Sequence, residues 1–493
     1  SSDTRYASKG RFTQSVNIDV NTGKFGSYTS YRRQQAEGWQ LNPYEENSKT
    51  HELEETGKVA STGFYANTVN QKFTFDATDK LSFYARGGYY DNKTRRPYEA
   101  YDYNILHETF NYGIGAQYMI NKGNYITADC YADHFSSSYC FIKDYKTYNG
   151  KAGEEQVRKR TRNHNLSIKG IFKLGNRHKL SVGTEYIVDV LKSQTDNIAK
   201  EDAYTLALFA QDEIKLLRNL KAVIGGRYIY HEFFKNHATP NVALMYKPGK
   251  FNFRASYAAG FRTPTLSELY ATDIAKKNDR LTIGNLDLKP EKNNNFSLSA
   301  EYVHERFSVS VNAFYNNIRD MIDYNTIATG DKAMEQYGHK EVRQRDNIAE
   351  AKVHGINVSA NAYLGAGFNL SGGYTHLNTQ DVELEQPIDK SIKNAYNINA
   401  QWAHSWKIYR LNINLNGRIN SKRFSKSYGY APEYQLWDLN TRHSFNLKSV
   451  IIEPGCGMEN LFDYMDDRPY NSNYATLTPG RSFYISLSLK FKS

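Results

Sequence analysis

Apolar and polar residues alternate with a period of two along most of this chain. The stretch 480–491 is the clearest case. Phe483, Ile485, Leu487, Leu489 and Phe491 share one parity, while Ser482, Tyr484, Ser486, Ser488 and Lys490 share the other. Successive side chains of a β-strand point to opposite faces, so this is a strand with one greasy and one wet face. Leu411, Ile413 and Leu415 alternate in the same way with Asn412, Asn414 and Asn416. Phe251, Phe253 and Tyr257 alternate with Asn252, Arg254 and Ser256, and Leu81, Phe83 and Ala85 with Ser82, Tyr84 and Arg86. Leu180, Val182 and Tyr186 alternate with Ser181, Gly183 and Glu185. Many such segments of about ten residues in succession predict an all-β fold of transmembrane type, an antiparallel barrel with lipid outside and water inside.

Turn signals fit that architecture. Tight turns fall near Asp79-Lys80, Asn121-Lys122-Gly123, Gly175-Asn176-Arg177, Lys247-Pro248-Gly249 and Gly365-Ala366-Gly367. Between them lie longer polar stretches at 40–60, 91–109, 134–163, 191–202, 262–294, 324–348, 376–392 and 463–480. Short periplasmic turns on one rim and long extracellular loops on the other are the asymmetry of bacterial outer-membrane barrels. Counting back from the C-terminus gives about 21 strands, the first convincing pair being joined at Asn21-Thr22-Gly23. Single-chain barrels of this kind carry an even number of strands, so the expectation is a 22-stranded type with its first strand missing upstream.

Composition sharpens the picture. With 40% hydrophobic residues and a mean hydropathy of -0.70, the chain offers no apolar run long enough for a transmembrane helix. A barrel strand needs none, because only alternate residues meet lipid. The 40 Tyr and 25 Phe fit strand packing, and fit aromatic girdles at two membrane surfaces better. At 493 residues the chain is too long for one soluble sandwich. It shows no internal linker, so 1–493 reads as one barrel domain. Residue 1 leads into polar sequence without a signal-peptide pattern, the expectation being a mature or truncated product.

The net charge of +11 is spread over predicted loops rather than gathered on one helix or tail. It includes Arg95, Arg96, Arg158, Lys159, Arg160, Arg162, Lys422, Arg423 and Lys426. That distribution argues against nucleic acid; solvated loop charge, phosphate-bearing lipid and an anionic substrate all fit it. Among the three cysteines, Cys130 and Cys140 flank a predicted loop. An oxidising compartment permits a disulfide there, and two free thiols fit as well. No Cys/His spacing suggests a metal site, and no G-x-S-x-G, H-E-x-x-H or Walker element suggests an enzyme.

One segment carries a more specific signal. Residues 257–270 read Y-A-A-G-F-R-T-P-T-L-S-E-L-Y, followed after a polar loop by G-N-L-D-L-K-P-E. The first element comprises Gly260, Phe261, Arg262, Pro264, Leu266, Glu268, Leu269 and Tyr270; the second comprises Gly284, Asn285, Leu288, Lys289, Pro290 and Glu291. A third is Asn460, Leu461, Phe462 and Asp463, and the chain nears its end on Phe491. Together these resemble the TonB-dependent outer-membrane receptors. The resemblance implies a 22-stranded barrel whose lumen holds an N-terminal plug, a TonB complex that acts through a box before that plug, and import of a scarce nutrient. The plug and TonB box fall outside this sequence and are expected to be cleaved or carried separately. The cargo implied is an iron complex, either a ferric siderophore or haem, with cobalamin as the alternative. The protein itself is expected to hold no cofactor, though its ligand contains iron or cobalt. Outer-membrane lipid is the expected surrounding, and a surface lipoprotein that captures ligand is an optional partner. A passive porin-like channel is the competing reading; general porins have fewer strands.

Site residues are less distinct. Arg262, Glu268 and Tyr270 are placed near the outer mouth, as ligand contacts or as a structural loop base. Pro264 and Pro290 mark where strand pairing stops, since Pro donates no ladder hydrogen bond. Haem receptors usually place a His between the two motif elements, and none stands between Tyr270 and Gly284. His231, His237 and His339 lie near outer strand ends or loops and keep haem in view. The acidic stretch Glu45, Glu46, Glu52, Glu54 and Glu55 lacks the spacing of a calcium loop.

Overall fold

The computed structural model describes residues 1–47, 50–275, 279–474, 476 and 478–492. The alternating segments pair into a closed antiparallel barrel of 22 strands. In chain order they begin with β1 (Ser2–Ala7), β2 (Arg11–Asn21), β3 (Phe25–Ala36), β4 (Gly63–Asp76), β5 (Leu81–Arg95) and β6 (Tyr103–Asn121). They continue with β7 (Asn124–Phe141), β8 (Glu155–Leu174), β9 (His178–Ser193), β10 (Ile198–Leu217), β11 (Leu220–His231) and β12 (Lys235–Tyr246). Next come β13 (Phe251–Arg262), β14 (Glu291–Val303), β15 (Phe307–Thr329), β16 (Glu341–Gly365) and β17 (Phe368–Asp381). The last are β18 (Asn394–Trp406), β19 (Tyr409–Asn420), β20 (Tyr434–Asn446), β21 (Val450–Glu459) and β22 (Ser482–Phe491).

The barrel closes where β1 pairs with β22, from Ser2 opposite Leu489 to Ala7 opposite Tyr484. This is the strand the sequence count lacked, so the expected missing first strand is corrected. Its outward residues, Ser2, Thr4 and Tyr6, lie opposite Leu489, Leu487 and Ile485 and are only weakly apolar. That parity gives β1 no greasy face to read. The seam is also tied from inside: Glu459 on β21 accepts from Arg5 on β1 and, at 2.6 Å, from Arg11 on β2.

Parity then sorts the side chains. On β22, Phe483, Ile485, Leu487 and Phe491 stand exposed on the outer surface, Ile485 with 65% of its area free. Nothing like a dry interior exists among the described residues: the buried apolar clusters are two small ones, Leu269 with Leu288 and Ile322, and Ala328 with Ala333 and Val342. Both lie on the outer-rim loops and strand ends. Exposed aromatics gather at two heights. Phe25, Phe73, Phe75, Phe83, Phe251, Phe253, Phe307, Phe368 and Trp406 stand near the short turns, and Phe110, Tyr112, Tyr186, Tyr228, Phe296, Tyr315 and Tyr396 stand toward the long loops. These are the two girdles of a lipid-facing band.

The lumen takes the charges. Arg227 on β11 pairs with Glu185 on β9 at 2.5 Å, and Arg86 lies 4.7 Å from the ring of Tyr131. Asn399 donates to Asn414 and Asn416, each at 2.6 Å, so even neutral amides are partnered across strands.

Two expectations need revision. Strands run further than their lipid-facing part, so the predicted loops 91–109, 134–163 and 324–348 shrink to 96–102, 142–154 and 330–340. Beyond the membrane both strand faces meet water, and the alternation that marks a strand disappears while its ladder continues. Cys130 and Cys140 both lie on β7, ten residues apart, which separates them by roughly 33 Å along the strand. They are free thiols, and no bridge between them fits this fold.

Candidate functional site

The motif residues converge on the outer mouth. Strand β13 ends at Arg262, and the buried Pro264 prevents further pairing. Thr265 then caps a single helical turn, α1 (Leu266–Tyr270): its hydroxyl accepts from the Glu268 amide at 3.2 Å, and the Glu268 carboxylate accepts from the Thr265 amide at 2.8 Å. This reciprocal box starts the turn. The same carboxylate faces Arg262, whose Nη1 donates to Glu268 at 2.9 Å.

Arg262 also forks toward Glu291 at the start of β14, with Nε to Oε2 at 2.8 Å and Nη2 to Oε1 at 2.6 Å. One guanidinium thus holds two carboxylates bidentately, the geometry for which its planar donor array is suited. Glu291 in turn accepts from the Ile322 amide on β15 at 2.9 Å. Arg262 therefore joins β13, α1, β14 and β15 at one node. Burial works against the charge on Glu268, yet the Arg262 guanidinium and the Thr265 donors outweigh it and hold the carboxyl below its ordinary value of 4.5.

The remaining motif residues pack or staple this node. Leu269 and Leu288 are buried together, with Tyr270 and Phe234 against them. Gly284 passes so close to α1 that a Cβ there would stand 2.4 Å from the Leu269 carbonyl oxygen. The Asn285 side chain donates to the Arg345 carbonyl at 3.0 Å, and Lys289 is gripped through both backbone groups by Asn347. Asn347 was not visible in the sequence as a site residue, because its role depends on two loops meeting across strands. At the far end of the chain, Asn460 and Asp463 take left-handed φ angles of 52° and 57°. Asn460 exchanges hydrogen bonds with Tyr464, and Asp463 accepts from the Arg481 amide at 2.6 Å, which folds Leu461 and Phe462 into the turn before β22. Asn and Asp tolerate that conformation better than other side chains.

Of the three histidines, His231 and His237 flank Phe234, while His339 lies apart from them. His231 is buried, lies tilted against the Phe234 ring at 4.9 Å and accepts from the Phe233 amide through Nδ1. His237 bonds the Phe234 carbonyl through Nε2 at 2.9 Å and stacks on Phe261. His339 pairs with Asp279 at 2.8 Å. Among the described residues no cluster of three or more His, Cys, Asp or Glu side chains is arranged to hold a metal.

A second constellation sits on the inward parity above β6–β8. Tyr103 stacks on Tyr139 at 3.9 Å, and Phe141, Tyr145 and Tyr148 extend the cluster. Arg96 lies over Tyr101 and Tyr103, and Arg158 lies 4.0 Å from the centre of the Tyr148 ring. Arg158 is a bulge residue on β8, only 7% exposed, and donates to the Gln194 side chain at 2.8 Å. Among the described residues no carboxylate pairs with it, and its Nε is buried without a partner. A cavity of about 700 Å³ opens beside it, lined by Tyr148, Lys159, Arg160, Lys192, Ser193, Gln194 and Ile198. A buried cation among aromatic rings, with no acid of its own, is chemically suited to an anionic guest.

The family description "TonB dependent receptor-like, beta-barrel" matches residues 5–460. The chain belongs to the TonB-dependent receptor family. It is an outer-membrane β-barrel protein, as the lipid-facing band requires. An iron-regulated outer membrane virulence protein of Vibrio cholerae is 24% identical over 335 residues, which take in 64% of this chain and 49% of that protein. The chain spans about half the length of the curated relatives it matches. The ferric enterobactin receptor of Pseudomonas aeruginosa superposes with a TM-score of 0.82 at 16% identity, covering 100% of this chain and 79% of that one. The copper transporter OprC superposes at 0.75 with 10% identity, covering 99% and 79%. At such identities the likeness is one of fold, and the two names show that this fold alone does not select a cargo.

Proposed function

We propose that this barrel is the membrane part of a receptor that imports an anionic iron chelate across the outer membrane, driven through a plug and the TonB complex. The observation that carries the reading is Arg158, a buried guanidinium with no carboxylate partner among the described residues, set among Tyr139 and Tyr148 beside a cavity at the outer mouth. The relative named as iron-regulated and the neighbour named for ferric enterobactin support iron as the metal. In this reading Arg262, Glu268 and Glu291 shape the mouth, while Arg96, Arg158 and the tyrosines meet the cargo. A haem cargo would need an axial ligand, and His231, His237 and His339 would each have to give up a present partner to supply one.

The test is uptake by cells carrying the full-length receptor, supplied with radiolabelled ferric catecholate, ferric hydroxamate, haem and cobalamin in turn. Accumulation of an anionic ferric chelate that falls when TonB is removed, and falls again in Arg158→Gln, is the expected result. Uptake of haem or cobalamin alone, or uptake independent of TonB, overturns it.

A further inference from the structure

We infer that the ring of short turns at the periplasmic rim docks on the anionic peptidoglycan of the cell wall. Among the described residues ten turns of two to four residues join the strands at that rim, from 22–24 to 447–449. Their 28 residues hold ten Lys or Arg and two acids, Asp79 and Glu305. The whole chain carries 63 Lys and Arg in 493 residues, so the turns are enriched nearly threefold. Turn geometry does not call for this. Tight hairpins favour Gly, Asn and Asp for their backbone conformations, and Lys or Arg brings no such advantage. Nine of the ten turns carry a cation, the exception being 366–367, so the charge runs round the circumference.

All ten cations are exposed. Among the described residues no carboxylate comes within 4.0 Å of any of them; ion pairs near this rim, such as Lys221 with Glu213 and Lys490 with Glu453, join strand residues. The long-loop side differs. There Lys58 meets Glu45 at 2.7 Å, Lys426 meets Asp381 at 3.0 Å and Arg468 meets Asp466 at 2.6 Å. Those cations are neutralised within the protein, whereas the turn cations repel one another until a polyanion covers them. Neighbouring turns stand roughly 10 Å apart, about one screening length, so the anion must lie against the rim. Parity turns much of the charge away from lipid. Lys24, Lys247, Lys250, Arg306 and Lys407 each follow or precede an exposed aromatic of the lipid-facing girdle: Phe25, Tyr246, Phe251, Phe307 and Trp406. Successive side chains point to opposite faces, so these cations stand off the hydrocarbon side. The rim is flat, since none of these turns exceeds four residues, and is roughly 40–45 Å across for 22 strands at the usual spacing and tilt. A compact protein docks on one patch. Charge spread round a flat ring suits an extended polyanion, and peptidoglycan, with its free stem-peptide carboxylates, is such a polymer on this side of the membrane.

The experiment is sedimentation of the detergent-solubilised full-length receptor with insoluble peptidoglycan, with peptidoglycan whose carboxylates have been amidated, and with vesicles of phosphatidylglycerol. The parent should sediment with native peptidoglycan, less as salt is raised, and stay in solution with the amidated polymer. The variant Lys122→Gln/Arg177→Gln/Arg218→Gln/Lys247→Gln/Lys250→Gln, which neutralises four consecutive turns, should bind at least about tenfold more weakly. Neutralising five cations on the long-loop side, Lys200, Lys292, Lys332, Lys340 and Lys390, each to Gln, should leave binding as in the parent. Lys122→Arg/Lys247→Arg/Lys250→Arg should also bind like the parent, because charge and not side-chain shape makes the contact. Heat-modifiable electrophoretic mobility reports that each variant is folded. Undiminished sedimentation of the folded turn variant overturns the inference, as does equal binding to amidated peptidoglycan or an equal loss in the long-loop variant. If the parent binds the phosphatidylglycerol vesicles and not the peptidoglycan, and the turn variant loses that binding, the ring serves lipid and the inference falls.

Discussion

The wall built by β21 and β22 and the mouth built around α1 are specified in opposite ways. In the wall, what matters is parity. Ile485, Leu487 and Leu489 need only be apolar, because their neighbour is lipid and the ladder to β21 is made by backbone. In the mouth, what matters is identity. Arg262 holds two carboxylates in a fork that lysine does not reproduce, and Gly284 sits where even a methyl group meets backbone. A wall tolerates exchange among many residues and fails at a change of polarity. A mouth fails at a change of shape while the wall beneath it stands.

The sharpest test breaks the wall. Ile485→Arg places a guanidinium on the lipid face, at a cost of about 2–4 kcal/mol near the bilayer midplane. Ser488→Arg places the same group in the lumen, opposite Asp3. Ser486 is a poorer control, since it lies opposite Arg5. Urea unfolding in vesicles should show the loss for Ile485→Arg alone. Equal losses at both parities would reverse the assignment of inside and outside.

Two substitutions break the mouth instead. Gly284→Ala forces a Cβ against the Leu269 carbonyl, and neither partner is a flexible side chain. The Gly284 segment must move away from α1, disturbing the bond from the Gly284 amide to the Ala271 carbonyl, at a local cost of about 1–3 kcal/mol. Arg262→Met leaves Glu268 and Glu291 facing each other without their cation. The cost is about 1–2 kcal/mol, reduced because the Arg262 side chain is 43% exposed and water replaces part of what is lost. Both variants should speed hydrogen exchange at 266–271 and 284–291 and leave wall amides unchanged. Faster exchange throughout the barrel would mean that mouth and wall are one cooperative unit.

The same contrast explains what could be read in the sequence. Parity is a local property, so the wall, its short turns and its girdles were visible strand by strand. The prolines gave the strand ends at Arg262 and Glu291 correctly, because a missing N–H is also local. Strand β1 was invisible because Ser2 and Thr4 face outward where leucines were expected. Residues 324–348 read as loop because polar residues dominate the extended β15–β16 hairpin, and its few apolar ones, such as Ala328 and Val342, pack on a local cluster without alternating. The mouth was visible only as a motif. Nothing in the spacing of Arg262, Glu268 and Glu291 announces one shared node, nor that Asn347 closes it, since those contacts cross between strands that the turns bring together. The histidines are hard to read for a related reason: a loop position says nothing about whether a ring is already engaged, as His231 and His339 are.

The smallest effect concerns pH, and it too separates the two regions. Glu268 is more acidic in the folded mouth than its ordinary value of 4.5. A group with a lowered folded pKa contributes its stabilisation in full above the unfolded value and loses it as pH falls through the folded value. The contribution of Glu268 is therefore intact at neutral pH and disappears only below about 4.5, where protonation removes one arm of the Arg262 node. Between β21 and β22 the Lys490–Glu453 pair, at 2.7 Å, is added to a ladder that backbone groups make by themselves. Brief acid exposure followed by limited proteolysis should open cleavage within 263–290 while the barrel keeps its heat-modifiable mobility. In Glu268→Gln the same cleavage should already appear at pH 7 and change less on acidification. If Glu268→Gln remains as resistant as the parent at neutral pH, the box formed with Thr265 holds α1 without the ion pair, and the node is less demanding of identity than its geometry implies.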